Sequence, residues 1–249
     1  MEKTEKTGLI LILSSDTVDT YVNVICHTYS DYNIQNIHFC HISGASTGIR
    51  SDQAEDLKNK INTRLKKLAE AELKNDNTLY DDLINGIRFN PDITKIPAED
   101  IGPILTQEVK SLGGQKKCLI DITTTTKSAS QFVLAGCLIY GLRNLYEFHL
   151  SKRINKDTES TDLLLYHNLN SQEYKYVYLS DTLAIRRAYN SLSRKIALSM
   201  AAVVVSMLVL IISVTWISTS SVSIASILAS AASLATVISL GLQMKEFTS

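Results

Sequence analysis

The sequence predicts an α/β fold: a Rossmann-like, mostly parallel sheet (residues 1–180) followed by an uncharged C-terminal tail. Three observations carry this. Short continuous apolar runs alternate with segments of helical periodicity, as expected where strands are buried on both faces by crossover helices. Gly44, Pro91 and the pair Gly113-Gly114 fall at the ends of these segments. From Ile196 to Met244 the chain has no Asp, Glu, Lys, Arg or His.

Gly8–Ser14 (Gly-Leu-Ile-Leu-Ile-Leu-Ser) is the first buried strand. Asp16 is placed to cap the following helix, on which Val18, Val22, Ile25 and Tyr29 recur at helical spacing. Ile34–Ser43 is a second strand, ending at Gly44. Ser51 and Asp52 open a long helix with Leu57, Ile61, Leu65 and Leu68 on one face and lysines opposite. Gly86–Asn90 reads as a short strand closed by Pro91. Ala98–Leu112 is a helix stopped by Gly113 and Gly114. Cys118–Ile122 is a strand, Ser128–Gly141 a helix and Leu145–Leu150 a strand.

Beyond residue 150 the pattern changes. Ser151–Ser160 is a polar linker. Asp162–Leu169 and Tyr174–Leu179 read as two antiparallel strands around Asn170-Ser171, with Tyr174, Tyr176 and Tyr178 on one face, either exposed or forming a stacking or dimer surface. Asp181 caps a stalk helix (181–195) carrying Ile185, Tyr189 and Leu192, with no Gly or Pro before the tail.

The tail is long enough for two helical passes of a bilayer, 196–217 and 222–242, joined by Ser218-Thr219-Ser220-Ser221. Trp216 stands near the far end of the first pass, where an indole favours the headgroup interface. The second pass is rich in serine and alanine, suited to close helix packing as a plain anchor or to an oligomeric cluster that opens a water path. Arg186, Arg187, Arg194 and Lys195 precede the hairpin and Lys245 follows it, so both termini are expected in the cytoplasm, with the hairpin in the inner membrane. The start, Met-Glu-Lys-Thr-Glu-Lys, does not have the pattern of a secretory signal.

Formal net charge is +0, with no basic run outside the stalk, which disfavours long nucleic acid as a partner. Cys26, Cys40, Cys118 and Cys137 lack CxxC spacing and sit in apolar stretches, as buried reduced thiols do. His27, His38, His41, His149 and His167 show no metal-ligand spacing, and no metal or resident cofactor is expected. The loop after the first strand, Ser14-Ser15-Asp16-Thr17, has no glycine, which excludes the GxGxxG dinucleotide fingerprint there; GxxxxGK[ST] is absent throughout.

In parallel sheets ligands bind at the carboxyl ends of the strands, here the loops Ser14–Asp19, Ser43–Ser51 and Thr123–Lys127. The densest constellation at such an end is Asp121-Ile122-Thr123-Thr124-Thr125-Thr126-Lys127. Four hydroxyls, the free amides of a helix start and a lysine make a cradle for phosphate or ribose oxygens. Helix capping by Thr125 or Thr126, with Lys127 solvated, explains the same residues without a ligand.

Asp121–Lys127 resembles the D-x-T-G-G-T-K strand-to-helix motif of CARF domains, the CRISPR-associated Rossmann-fold sensors of cyclic oligoadenylates. Asp121, Thr123, Thr126 and Lys127 match in place, and Thr124 and Thr125 stand where the family has paired glycines. The Ser14-Ser15 loop corresponds to the family's other ligand loop. The resemblance covers roughly residues 8–180. It implies a homodimer or higher oligomer binding a cyclic oligoadenylate or related cyclic nucleotide through Ser14, Ser15, Asp16, Thr123, Thr124, Thr125, Thr126 and Lys127. With membrane helices attached, it implies a pore-forming or membrane-perturbing effector of type III CRISPR antiviral defence. The two threonines in place of glycines crowd the backbone approach, which points to a different ring size or linkage. Two other functions follow from the same resemblance and tail: a membrane-tethered ring nuclease, with Ser15 and Lys127 positioning ribose 2′-OH attack, and a passive membrane-anchored docking module. The Asp121–Lys127 motif itself contains no obvious general base for the nuclease.

Overall fold

The computed structural model describes residues 6–44, 49–72, 78–153 and 160–192, together with Arg194, Lys195, Leu198 and Ser206. The chain divides into two compact units, Met1–Ala188 and Tyr189–Ser249. The first is an α/β unit with a six-stranded sheet in the order β3-β2-β1-β4-β5-β6. Its strands are β1 (Gly8–Leu13), β2 (Asn36–Ser43), β3 (Arg88–Pro97), β4 (Cys118–Asp121), β5 (Leu145–Leu150) and β6 (Tyr174–Tyr178). The first five are parallel, and β6 runs antiparallel to β5. This is the strand order of the doubly wound Rossmann architecture.

Every residue of β1 is buried, and its side chains alternate between two cores. Leu9, Leu11 and Leu13 pack with helices α1 (Val18–Tyr32), α2 (Ser51–Glu72) and α3 (Leu79–Gly86). Ile10 and Ile12 pack with α4 (Ile101–Ser111) and α5 (Lys127–Ile139) on the opposite face. A strand covered on both sides must be apolar at every position, which is why it reads as a continuous run rather than an alternation. All four cysteines are buried free thiols, and burial pushes those of Cys118 and Cys137 up to about 12.

On the second face α4 and α5 approach closely through two glycines. A Cβ on Gly136 would lie 3.0 Å from Ile101 Cγ2 and 3.1 Å from the Gly102 amide nitrogen. Gly136→Leu is therefore predicted to force the helices apart and lower stability by about 1–3 kcal/mol, the usual range for overpacking. Urea unfolding of the variant checks this; a loss below the error of the measurement would show that the helices separate freely.

Several expectations need correction. Pro91 does not close a short strand at Gly86–Asn90; β3 runs through it to Pro97, with a register irregularity between Ile37 and Phe39 of the neighbouring strand. An edge strand tolerates a proline whose missing amide faces away from its partner. The residues before it form the helix α3, whose eight residues are too few for a clear helical period. Asp162–Leu169 is not a strand but two 3₁₀ turns, Thr161–Leu164 and Tyr166–Asn168. Asn23 of α1 satisfies their backbone, donating to the Leu164 carbonyl (2.8 Å) and accepting from the Tyr166 amide (2.7 Å). Thr17, not Asp16, occupies the N-cap of α1, without a side-chain capping bond. Among the lysines of α2, Lys58 is buried, its ammonium donating to the Pro91 carbonyl. Residues 183–192 are helical, and Thr182, not Asp181, accepts at their start, from the Arg186 amide (2.9 Å).

The tyrosines of β6 follow the stacking alternative rather than the exposed one. Tyr174, Tyr176 and Tyr178 are partly buried, not an exposed face. Tyr146 of β5 stacks on Tyr176 and on Tyr178, both at 5.0 Å between ring centroids, and Phe148 stacks on Tyr174 at 5.4 Å. His27 of α1 sits among these rings, 4.7 Å from Tyr176 and 5.5 Å from Tyr174. Both its ring nitrogens are buried without a hydrogen-bond partner, and Asp31 lies 3.7 Å away. Burial depresses the His27 pKa against the opposing pull of Asp31. A histidine held neutral in the fold binds fewer protons than its unfolded counterpart below about pH 6.5, so its contribution is full above that pH and is lost on acidification. His27→Phe is predicted to flatten the acid limb of the stability profile between about pH 6.5 and 5. An unchanged limb, measured by urea unfolding across that range, would contradict this reading.

Residues 196–244, the expected hairpin, lie outside the described residues apart from Leu198 and Ser206. Among the described residues no helix is long and apolar enough to cross a membrane.

Candidate functional site

The strand order reverses between β1 and β4, the two central strands, which pair in parallel from Gly8↔Cys118 to Leu11↔Asp121. In such sheets the loops leaving the two carboxyl ends diverge to opposite faces, and the crevice between them is the usual ligand position. One loop is Ser14–Thr17, and the other runs from Ile122 to Thr126. The topology thus brings the two predicted loops to one place.

Direct hydrogen bonds join them. The Thr124 hydroxyl donates to the Ile12 carbonyl at the end of β1 (2.8 Å). The Thr126 amide donates to the Ser14 hydroxyl oxygen (3.3 Å). Tyr21 of α1 braces the other side: its phenol oxygen accepts from the Ser14 and Ser15 amides (3.0 and 3.3 Å) and donates to the Ser15 carbonyl (3.2 Å). Ser14 and Thr124 are buried, whereas Ser15 is partly buried and Asp16 exposed. The Ser15 and Thr17 hydroxyls bond to each other.

The threonine run divides into distinct roles. Thr123 donates its hydroxyl to Asp121 (2.9 Å) and accepts from the Phe148 amide of β5 (2.7 Å). Thr125 donates to the Ile122 carbonyl (2.6 Å), closing the turn. Thr126 is the N-cap of α5, accepting from the Ala129 amide (3.3 Å), and its hydroxyl also bonds that of Ser128 (3.2 Å). Lys127 is the first residue of α5 and is exposed. The capping explanation therefore holds for Thr126. The hydroxyls of Thr123, Thr124 and Thr125 all engage the protein's own carboxylate or carbonyls. Of the remaining polar residues of the two loops, Ser15 and Thr126 are partly buried and Lys127 is exposed.

Asp121 ends β4 and is buried. Its carboxylate accepts from the Thr123 amide (3.0 Å), the Thr123 hydroxyl (2.9 Å) and the Tyr176 phenol of β6 (3.0 Å). Burial raises its pKa to about 7; the three donors pull the other way, and the nearby Glu147 charge adds to the rise. The sequence exposed the Asp121 motif but not its partner Tyr176, which is distant in the chain and was legible only as one of three alternating tyrosines.

A second polar concavity lies near this crevice, between the first turns of α2 and strands β2 and β3. It has a volume of about 370 Å³ and is lined by His41, Ser51, Glu55, Asp92 and Lys95, over Ala54, Pro91 and Ile93. Sequence reading points to the sheet-end loop 43–51, which reaches this lining at Ser51, but not to the residues of β3 that complete it.

Gly44-Ala45-Ser46-Thr47-Gly48 has the Gly-x-Ser-x-Gly spacing of hydrolase nucleophile elbows. An elbow is one sharp turn from strand into helix, whereas here β2 ends at Ser43 and α2 begins only at Ser51. Residues 45–48, Ser46 among them, lie outside the described residues. Among the described residues no group of three or more His, Cys, Asp or Glu side chains is arranged to hold a metal ion.

No family model matches the chain, and no curated protein matches it.

Proposed function

We propose that this protein is a membrane-anchored sensor of a cyclic oligoadenylate or related cyclic nucleotide, with its crevice between β1 and β4 as the ligand site. The observation that carries the reading is the union of the two loops at the switch in strand order, through the Thr126–Ser14 and Thr124–Ile12 hydrogen bonds. An exposed lysine at the first position of a capped helix supplies positive charge beside amides that favour anions. The CARF-like motif at Asp121–Lys127 supports the choice of ligand class.

On this reading a homodimer or higher oligomer presents paired crevices to one ring-shaped ligand. The uncharged hairpin at 196–244 is the output, placed in the inner membrane with both chain ends in the cytoplasm, and its role belongs to antiviral defence. The threonines at 124 and 125 bear on selectivity. Their side chains fill the space that glycines would leave, and both hydroxyls are tied to backbone carbonyls. The ligand then meets a stiffer and narrower loop than in the family pattern.

A ligand shifts a two-state membrane helix pair only through its different affinity for the two states. Dye leakage from proteoliposomes containing the full chain tests the reading. Leakage that changes with at least one ring size of cyclic oligoadenylate is the expected result. No change with any ring, on protein shown to be inserted, would refute the effector role.

A further inference from the structure

We propose that the concavity between α2 and the β2–β3 edge is a second small-molecule site, separate from the crevice between β1 and β4. It takes a phosphate-bearing ligand that also carries a hydroxyl or N–H donor, such as a nucleoside monophosphate.

The inference begins at His41. The residue is 1% exposed and forms part of the concavity's lining. Its Nδ1 lies 3.3 Å from the Leu13 carbonyl oxygen. A carbonyl can only accept, so Nδ1 carries the proton. In the neutral ring Nε2 is then an acceptor with a lone pair. Burial and the neighbouring Lys95 charge both keep the ring neutral, the Leu13 bond opposing them. A buried neutral imidazole in a fixed tautomer, on the wall of an opening, is an acceptor for a donor hydrogen brought by something else.

The rest of the lining supplies the complementary half. Lys95 is the cross-strand neighbour of His41 in the β2–β3 register, and its exposed ammonium is free to reach an anion at the rim. Ser51 adds a hydroxyl from the first turn of α2, where the helix dipole favours negative charge. Glu55, one turn along α2 from Ser51, and Asp92 add acceptors. Donors (Lys95 and Ser51) and acceptors (His41, Glu55 and Asp92) mixed in one lining do not suit a bare anion, which Glu55 and Asp92 would repel. They suit a molecule with an anionic end and a hydrogen-bond-donating end. A volume of about 370 Å³ lies at the low end of the range for ligand pockets, about 300–1,000 Å³, and admits a single nucleotide rather than a ring of several.

The test uses the full chain in detergent with ¹⁵N-labelled histidine imidazoles, titrated with adenosine monophosphate and, separately, with inorganic phosphate. The His41 spectrum without ligand should show a protonated Nδ1 and an unprotonated Nε2. Adenosine monophosphate should move the Nε2 resonance saturably, and phosphate alone should move it far less. Lys95→Met, at an exposed position that leaves the fold intact, should weaken the effect at least tenfold. Lys127→Ala should leave it unchanged. A His41 signal that fails to respond to adenosine monophosphate overturns the proposal. So does a response that survives Lys95→Met at full strength. A response lost in Lys127→Ala would make the two cavities one site and would overturn the claim of a second one, while leaving the sensor reading intact.

Discussion

Asp121→Ala is expected to cost the α/β unit about 3–5 kcal/mol, the sum expected when several buried donors lose one acceptor. The Thr123 amide, the Thr123 hydroxyl and the Tyr176 phenol all donate to this carboxylate. The change would also free Thr123 from the position in which it accepts the Phe148 amide. One residue therefore links the loop after β4, the strand β5 and the edge strand β6. Tyr176→Phe removes a single donor and is expected to cost only about 1 kcal/mol. Urea unfolding followed by tyrosine fluorescence separates these cases; an Asp121→Ala loss no larger than that of Tyr176→Phe would mean that the three bonds are not held together.

The same carboxylate should leave a signature in pH. Its pKa stands at about 7 in the fold, against about 3.9 in an unfolded chain. The folded state then binds the extra proton between those values, so the stabilisation is present below about pH 4 and is lost as pH rises toward 7. The full effect is on the order of 4 kcal/mol. His27 and His41 act in the opposite sense, since their depressed pKa values remove stability on acidification. Asp121→Asn cancels the carboxylate contribution only. Its stability relative to the parent should improve between pH 4 and pH 8, whatever the fixed cost of the amide.

The second large effect concerns the ligand. Replacing Thr126 and Lys127 together with Ala should abolish the response to a cyclic oligoadenylate. Charge-assisted hydrogen bonds contribute about 1.5–3 kcal/mol each, so losing two weakens binding by roughly a hundredfold or more. Thr126 also caps α5, and its loss costs the helix about 1 kcal/mol in its own right. Lys127→Ala isolates the ligand contribution because Lys127 is exposed and caps nothing, while Thr126→Ser keeps the hydroxyl and serves as the control that should respond as the parent does. A passive docking module predicts no change in activity from any of these variants, which distinguishes it from a sensor.

Much of the fold was legible because the central strands obey a simple rule. Leu9 to Leu13 and Leu119 to Ile120 are apolar throughout because helices cover both faces, and the amphipathic α1, α2 and α4 show their buried residues at helical spacing. Legibility failed at the sheet edges. β3 and β6 are half covered, so their patterns mix buried and exposed positions, and Pro91 reads as a stop although an edge strand can carry it. The turns at Asp162–Leu169 are fixed by Asn23, more than a hundred residues away, and no local signal marks that partner. The site shows the same division. The two loops follow from strand ends and residue types, whereas the roles of the individual threonines depend on which carbonyl each hydroxyl meets. The cavity at His41 depends on a cross-strand register that no motif encodes.

The central claim, that the crevice between β1 and β4 binds a cyclic oligonucleotide, is tested most directly by isothermal titration calorimetry of the full chain in detergent with cyclic oligoadenylates of several ring sizes. The account predicts saturable binding of one ring size, with one ring per dimer, and loss of that binding in Lys127→Ala. Absence of binding for every ring, or binding that Lys127→Ala leaves untouched, would contradict it.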